Sequence, residues 1–233
     1  MRKLSVLMLL AIPLVAACGR GAEPHQGAFA PDDVVTVTRD EARISVERSA
    51  VPLEDMALAR WFAGVPMQGL AQLKIDLAAP VKDHRTLFSR AHGTFAVACG
   101  HGCRLGNDVA QLDIRGQKLD VGHIDIDSLA VRGSVENGHA KVTQWQLVSP
   151  DVKLGVDLDI ALADDLAASK VEGCIRFAPV TGLDARRPKT WTLLETTGAN
   201  RDRTGMFSIR ITGTLGAPKR LAQACGGSIL AMQ

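Results

Sequence analysis

The chain has 233 residues, 46% of them apolar, 22% charged and only 4% aromatic. That is enough apolar material for one sizeable core and too much for global disorder. Twenty-seven basic residues stand against 25 acidic ones, so no excess of positive charge points to nucleic acid. After the N-terminal segment, no run of roughly 20 apolar residues suits a membrane-spanning helix.

Met1-Arg2-Lys3 is a short positive start, and Leu4 to Val15 is an apolar stretch of signal-peptide length. Leu14-Val15-Ala16-Ala17-Cys18 resembles a bacterial lipobox. The resemblance implies a lipid on the Cys18 sulfur, cleavage before Cys18 and a further acyl chain on the new amine; several acyl chains anchor far more firmly than one. The expected organisation is a signal peptide over 1–17, a tether over 18–31 and a β-rich domain over 32–233. Gly19 follows the cysteine, which in the usual lipoprotein sorting pattern implies the outer membrane, facing the periplasm. Removing Arg2 and Lys3 leaves 25 basic residues against 25 acidic ones, a formally neutral mature chain.

Val34–Val37 and Arg43–Val46 are short strand candidates. Pro52 to Phe62 carries Leu53, Met56, Ala57 and Trp61 near helical spacing, with Gly64 as a stop. Leu73, Ile75 and Leu77 alternate with Lys74 and Asp76, the period-two pattern of a half-buried strand. Thr94–Val97 and Ile124, Ile126 and Leu129 add further candidates. Asn137-Gly138 is the preferred pair for a two-residue hairpin, because both residues tolerate positive φ. Val142–Leu147 reads as a strand, Ser149-Pro150-Asp151 as a turn. Val152, Leu154, Val156, Leu158, Ile160 and Leu162 then alternate strictly with smaller or polar residues. Residues 129–162 therefore read as a three-stranded meander. Pro188 to Thr197, with Trp191 and Leu194 and Gly198 as a stop, reads as a second short helix. Phe207, Ile209 and Ile211 mark a last alternating strand. The expected fold is mainly β: an antiparallel sheet with two short covering helices. A weak echo joins Leu73–Pro80 to Ile209–Pro218, each an alternating strand closed by Ala-Pro.

With Cys18 assigned to lipid, Cys99, Cys103, Cys174 and Cys225 remain, an even number in an oxidising compartment. Three pairings are open. The short Cys99-Gly-His-Gly-Cys103 loop favours Cys99–Cys103 together with Cys174–Cys225. His101 between two cysteines also invites zinc, but zinc needs about four ligands and no second pair at suitable spacing is evident. No metal and no cofactor is expected.

Signatures of hydrolases, P-loop proteins and zinc proteases are absent from the sequence. Asp125/Asp127 and Asp157/Asp159 are spaced as glycosidase or calcium carboxylates could be, yet they read better as the wet face of alternating strands. His84, His92, His123 and His139 are scattered and read as surface residues. Trp61, Trp145 and Trp191 sit on amphipathic elements and read as packing. The expectation is a protein that is not an enzyme.

From about residue 65 a run of phrases is similar to the GspN family of type II secretion system proteins, in its delta-proteobacterial, AsmA-like form. The phrases are Ala140–Leu147 with Ser149-Pro150-Asp151-Val152, Cys174-Ile175-Arg176-Phe177 with Pro179, Leu193–Gly198, Phe207–Pro218 and Cys225-Gly226. The resemblance implies an envelope accessory of a secretion apparatus, built on a curved antiparallel sheet with an apolar concave face. Members of that family commonly carry an inner-membrane anchor, whereas this chain has a lipobox. The expected partners are secretion-system proteins, the membrane through the lipid, and no nucleic acid. The alternative expectation is a lipid- or hydrophobe-binding lipoprotein whose concave face is lined by Leu73, Ile75, Leu77, Leu154, Val156, Leu158 and Ile160. A third, weaker expectation is a hydrolase assembled from distant Asp and His residues.

Overall fold

A computed structural model describes residues 34–56, 65–83, 85–107, 109, 111–114, 117–203 and 205–225. The signal segment, Cys18 and the tether lie outside the described residues, as do His84, Trp61 and Gly226.

The described residues are mainly strand. In order these are β1 (Val34–Val37), β2 (Glu41–Pro52), β3 (Met67–Gln68), β4 (Leu70–Lys82), β5 (Arg85–Thr86), β6 (His92–Cys99) and β7 (Cys103–Leu105). Then come β8 (Gln111–Ile114), β9 (Gln117–Asp120), β10 (Ile124–Ile126), β11 (Ser128–Glu136), β12 (His139–Val148) and β13 (Val152–Ala161). The last four are β14 (Lys170–Pro179), β15 (Asn200–Arg201), β16 (Phe207–Thr214) and β17 (Ala217–Leu221). Two short helices, Leu183–Arg186 and Pro188–Glu195, separate β14 from β15.

Twelve strands make one open antiparallel sheet in the order β1-β2-β4-β6-β11-β12-β13-β14-β16-β15, with β5 beside β4 and β17 beside β16. From β1 to β14 the order follows the sequence, as in a meander, with excursions that build a small sheet, β10-β7-β3, and the β8–β9 hairpin. Beyond β14 the order departs, because β16 pairs with β14 and the earlier β15 lies outside it. Asn137 and Gly138 both have positive φ, 48° and 75°, and they turn β11 into β12 as the Asn-Gly pair requires.

Cross-strand register puts one apolar face through the whole sheet. Ile44, Leu77, Ile75, Leu73 and Val97 share it with Val131, Ala140, Ile160, Val156, Ile175 and Ile209. The opposite face is wet and carries cross-strand ion pairs: Lys74–Glu47 at 3.2 Å, Lys141–Asp159 at 3.2 Å and Arg210–Glu172 at 3.9 Å. A sheet with one apolar face must have it covered, and two separate cores do so. The first joins β2, β4, β6 and β11 to Leu53, Met67, Phe88, Cys103, Ile126 and Leu166. The second joins β13, β14 and β16 to Val65, Val121, Ile124, Leu183, Leu193 and Leu194.

Two elements depart from the sequence expectation. Pro52 is the last ladder residue of β2, opposite Leu70, and Leu53–Met56 is a single 3-10 turn; the rest of the expected 52–62 helix lies outside the described residues. A proline with no N–H to donate is tolerated at that strand end. The Ala-Pro echo does not mark equivalent places: Ala79-Pro80 lies inside β4, paired with Ala42 and Glu41, whereas Ala217-Pro218 opens the edge strand β17.

Candidate functional site

Between β12 and β13 the strands remain neighbours in the main sheet, but most of the hydrogen-bonded ladder is missing. β13 pairs with β14 over ten positions, from Val152↔Pro179 to Ala161↔Lys170. β12 pairs with β11 along its whole length, from Ser128↔Val148 to Glu136↔His139. Yet β12 and β13 share only three positions, His139↔Ala161, Ala140↔Ile160 and Lys141↔Asp159.

The cause is one residue. The β11–β12 register shifts between Arg132 and Gly133: Arg132 faces Gln144, and Gly133 faces Val142, which leaves Thr143 as a bulge. Before the bulge the even-numbered residues Ala140 and Val142 lie on the apolar face. After it, Trp145 and Leu147 do, opposite Val131 and Leu129. β13 has no bulge and keeps its even-numbered residues on that face throughout. Extending the three-pair register would set Trp145 opposite Gly155 and Leu147 opposite Lys153, apolar against wet face. A shift of one residue inverts every side chain, so the ladder stops.

Trp145 occupies the resulting split. Its indole N–H donates to the Leu154 carbonyl at 2.8 Å, in place of the backbone donor a paired strand would supply. Trp145, Leu147 and Ile160, with Leu105 from β7, pack against both cores. Thr143, Gln144, Gln146 and Val148 are exposed, Val148 to 47%.

Where β12 turns into β13, the 149–151 turn is held by an ionic group. Asp151 is 1% exposed. Its Oδ2 accepts from Arg187 and from the Asp125 N–H, the latter at 2.9 Å. The same guanidinium donates to Asp125 Oδ2 at 2.7 Å and to the His123 carbonyl at 3.0 Å. His123 Nε2 lies 3.2 Å from Asp125 Oδ1, and Thr190 Oγ1 donates to the His123 carbonyl. Asp151 Oδ1 is buried with no hydrogen-bond partner among the described residues. The group pins β10, the turn and the start of the Pro188–Glu195 helix together. One cation shared by two carboxylates keeps a buried charge compensated.

The cysteines form Cys99–Cys103 and Cys174–Cys225, with Cα atoms 6.4 and 6.0 Å apart. The second bridge fixes the segment after β17 against β14, where Arg176 also donates to the Cys225 carbonyl.

The residues expected to line a concave apolar face divide into two groups. Leu73, Ile75 and Leu77 are buried in the first core at 8%, 5% and 7% exposure. Val156 is buried in the second core, while Leu154, Leu158 and Ile160 are half-buried beside the split. The structure does not bring the carboxylate pairs together as pairs. Asp125 lies on β10 and Asp127 just beyond its end, and Asp125 is tied to Arg187 and His123 rather than left to solvent. Asp159 meets Lys141 and His139, and Asp157 is exposed on the wet face with no ion pair among the described residues. His92 and His139 are exposed, but the His123 side chain is only 13% exposed, against the expectation of a surface residue. No group of three or more metal-ligating side chains occurs among the described residues. Trp191 packs in the second core under Arg201, whose guanidinium carbon lies 5.7 Å from the ring centroid.

Sequence reading missed Arg187 and Asp151. Asp151 was legible only as part of a turn, and an arginine 36 residues away carries no pattern that announces the contact. The bulge did leave a trace: the apolar positions change from even at Val142 to odd at Trp145 and Leu147. Comparison with known protein families, curated proteins and solved structures finds no match to this chain.

Proposed function

We propose that this chain is a non-catalytic lipoprotein of the cell envelope that acts by protein–protein interaction, as an accessory of a type II secretion system. The observation that carries the interaction reading is the interrupted ladder between β12 and β13, which leaves strand edges inside an otherwise continuous sheet. Strand edges present rows of backbone donors and acceptors, and such rows take polypeptide. The Asp125–Arg187–Asp151 group supports the same reading, because its members bond one another and hold secondary structure in place. The lipobox-like segment ending at Cys18 supports the anchor, and the resemblance of the ordered phrases to the GspN family supports the secretion role. The test is crosslinking in intact cells followed by detergent extraction of the full lipoprotein. Recovery of secretion-system components is expected; their absence from every adduct would sink the secretion role.

A second reading has its own observation. Leu154, Leu158 and Ile160 are half-buried along one strand, which suits an acyl chain or other hydrophobe. Organic extraction of the purified protein tests it, and protein free of lipid overturns it.

A further inference from the structure

We propose that the Cys174–Cys225 disulfide is a redox-operated latch on a strap at the end of the sheet, whereas Cys99–Cys103 is a fixed staple. The class of reductant that opens the latch is a dithiol protein of the envelope. The proposal does not depend on the secretion role.

The two bridges sit in different surroundings. Cys99 and Cys103 are 3% and 2% exposed, and both belong to the first core. Gly69 packs so closely there that a Cβ on it would lie 2.6 Å from the Cys103 sulfur. Cys174 and Cys225 belong to neither core. Cys174 stands on the wet face of β14, between Asp157 on β13 and Arg210 on β16. Cys225 is half-buried, the most exposed of the four. Exchange requires a thiolate to reach a sulfur, and exposed disulfides are the labile ones.

What the second bridge holds is a strap rather than a ladder. Residues 222–225 follow β17 and form no strand. Besides the disulfide, the Gln223 carbonyl accepts from Ser208 Oγ at 3.4 Å and the Cys225 carbonyl accepts from Arg176. The Cys225 sulfur lies 3.8 Å from the Ile209 carbonyl. Ser208, beside the strap, is 6% exposed. These are polar contacts on the wet side of the sheet. Opening the bridge therefore frees the strap and uncovers Ser208, while β14 and β16 stay paired and the core beneath them stays packed.

The exchange runs in two balanced steps. A thiolate of the dithiol bonds to Cys225 Sγ; the Cys174–Cys225 bond breaks, and its electron pair leaves on the Cys174 sulfur. The second thiolate of the dithiol then attacks the mixed disulfide and releases Cys225. The dithiol is oxidised to a disulfide, and both cysteines take up a proton as thiols. Reoxidation reverses the steps and closes the strap.

The experiment exposes the full-length lipoprotein in detergent to stepped dithiothreitol, traps free thiols by alkylation and maps them by mass, with hydrogen exchange on the same samples. Cys174 and Cys225 are expected to become alkylated at about tenfold lower dithiothreitol than Cys99 and Cys103. At that step amides of 207–210 and 217–225 should exchange faster, with those of β2 and β4 unchanged. The double variant Cys174→Ala with Cys225→Ala should show the same fast exchange without reductant and leave the Cys99–Cys103 titration where it was. Opening of both bridges together, or of Cys99–Cys103 first, overturns the latch. So does reduction of Cys174–Cys225 with the strap amides unchanged, or with protection lost through the whole sheet.

Discussion

The two cores cover the same apolar face by different means. The β1–β12 half is capped by short strands and 3-10 turns, and its disulfide closes a loop across a sequence separation of 4. The β13–β17 half is capped by a helix, is stapled across a separation of 51, and depends on an ionic group whose members come from residues 123 to 187. The first half is held mainly by contacts between neighbouring strands, the second by links that reach far along the chain. Local contacts survive the loss of one partner; a long-range link, once cut, frees the whole segment it spanned.

The largest test of that contrast is Arg187. Arg187→Met leaves Asp151 buried without its cation and should cost about 3–5 kcal/mol in urea unfolding. Adding Asp151→Leu should recover much of that loss, because an apolar pair of similar volume removes the uncompensated charge. An Arg187→Met chain as stable as the parent would mean that the second half does not depend on the ionic group.

The disulfides separate the halves next. Replacing Cys174 and Cys225 together by Ala should cost about 4 kcal/mol in the chain-entropy account, and replacing Cys99 and Cys103 together about 2 kcal/mol. Equal losses for the two pairs would remove loop length as the difference between the halves.

The smallest effect is at the boundary. Trp145→Phe keeps the ring in both cores but removes the donor to the Leu154 carbonyl, and should cost about 1 kcal/mol. Hydrogen exchange should quicken at residues 152–156 and stay unchanged in β2 and β4. Faster exchange throughout the sheet would show the two cores to be one cooperative unit.

Much of this architecture was legible. Strict alternation at 73–77, 152–162 and 207–211 marks strands, and Asn137-Gly138 marks the β11–β12 hairpin, because period two and turn chemistry are local properties. The cysteine pairing followed from loop length. What stayed hidden depends on distant partners. Nothing near Arg187 indicates that it ends between Asp125 and Asp151. The Pro52–Phe62 segment has helical spacing, but Pro52 pairs with Leu70 and Leu53–Met56 forms a 3-10 turn, while the rest lies outside the described residues. The break in the sheet lies between: the change of phase after Val142 is written in the sequence, but its meaning appears only when β13 is laid beside it.

Thr143 also bears on how such an edge arises. A new edge at the rim of a sheet needs the loss of a whole strand, and it invites pairing by any chain that drifts past. The residue bulged at Thr143 interrupts a ladder in the interior instead. The two sides stay joined by the turn at residues 149–151 and laddered at residues 139–141. The interrupted stretch is therefore bounded at both ends, and the sheet gains no loose end.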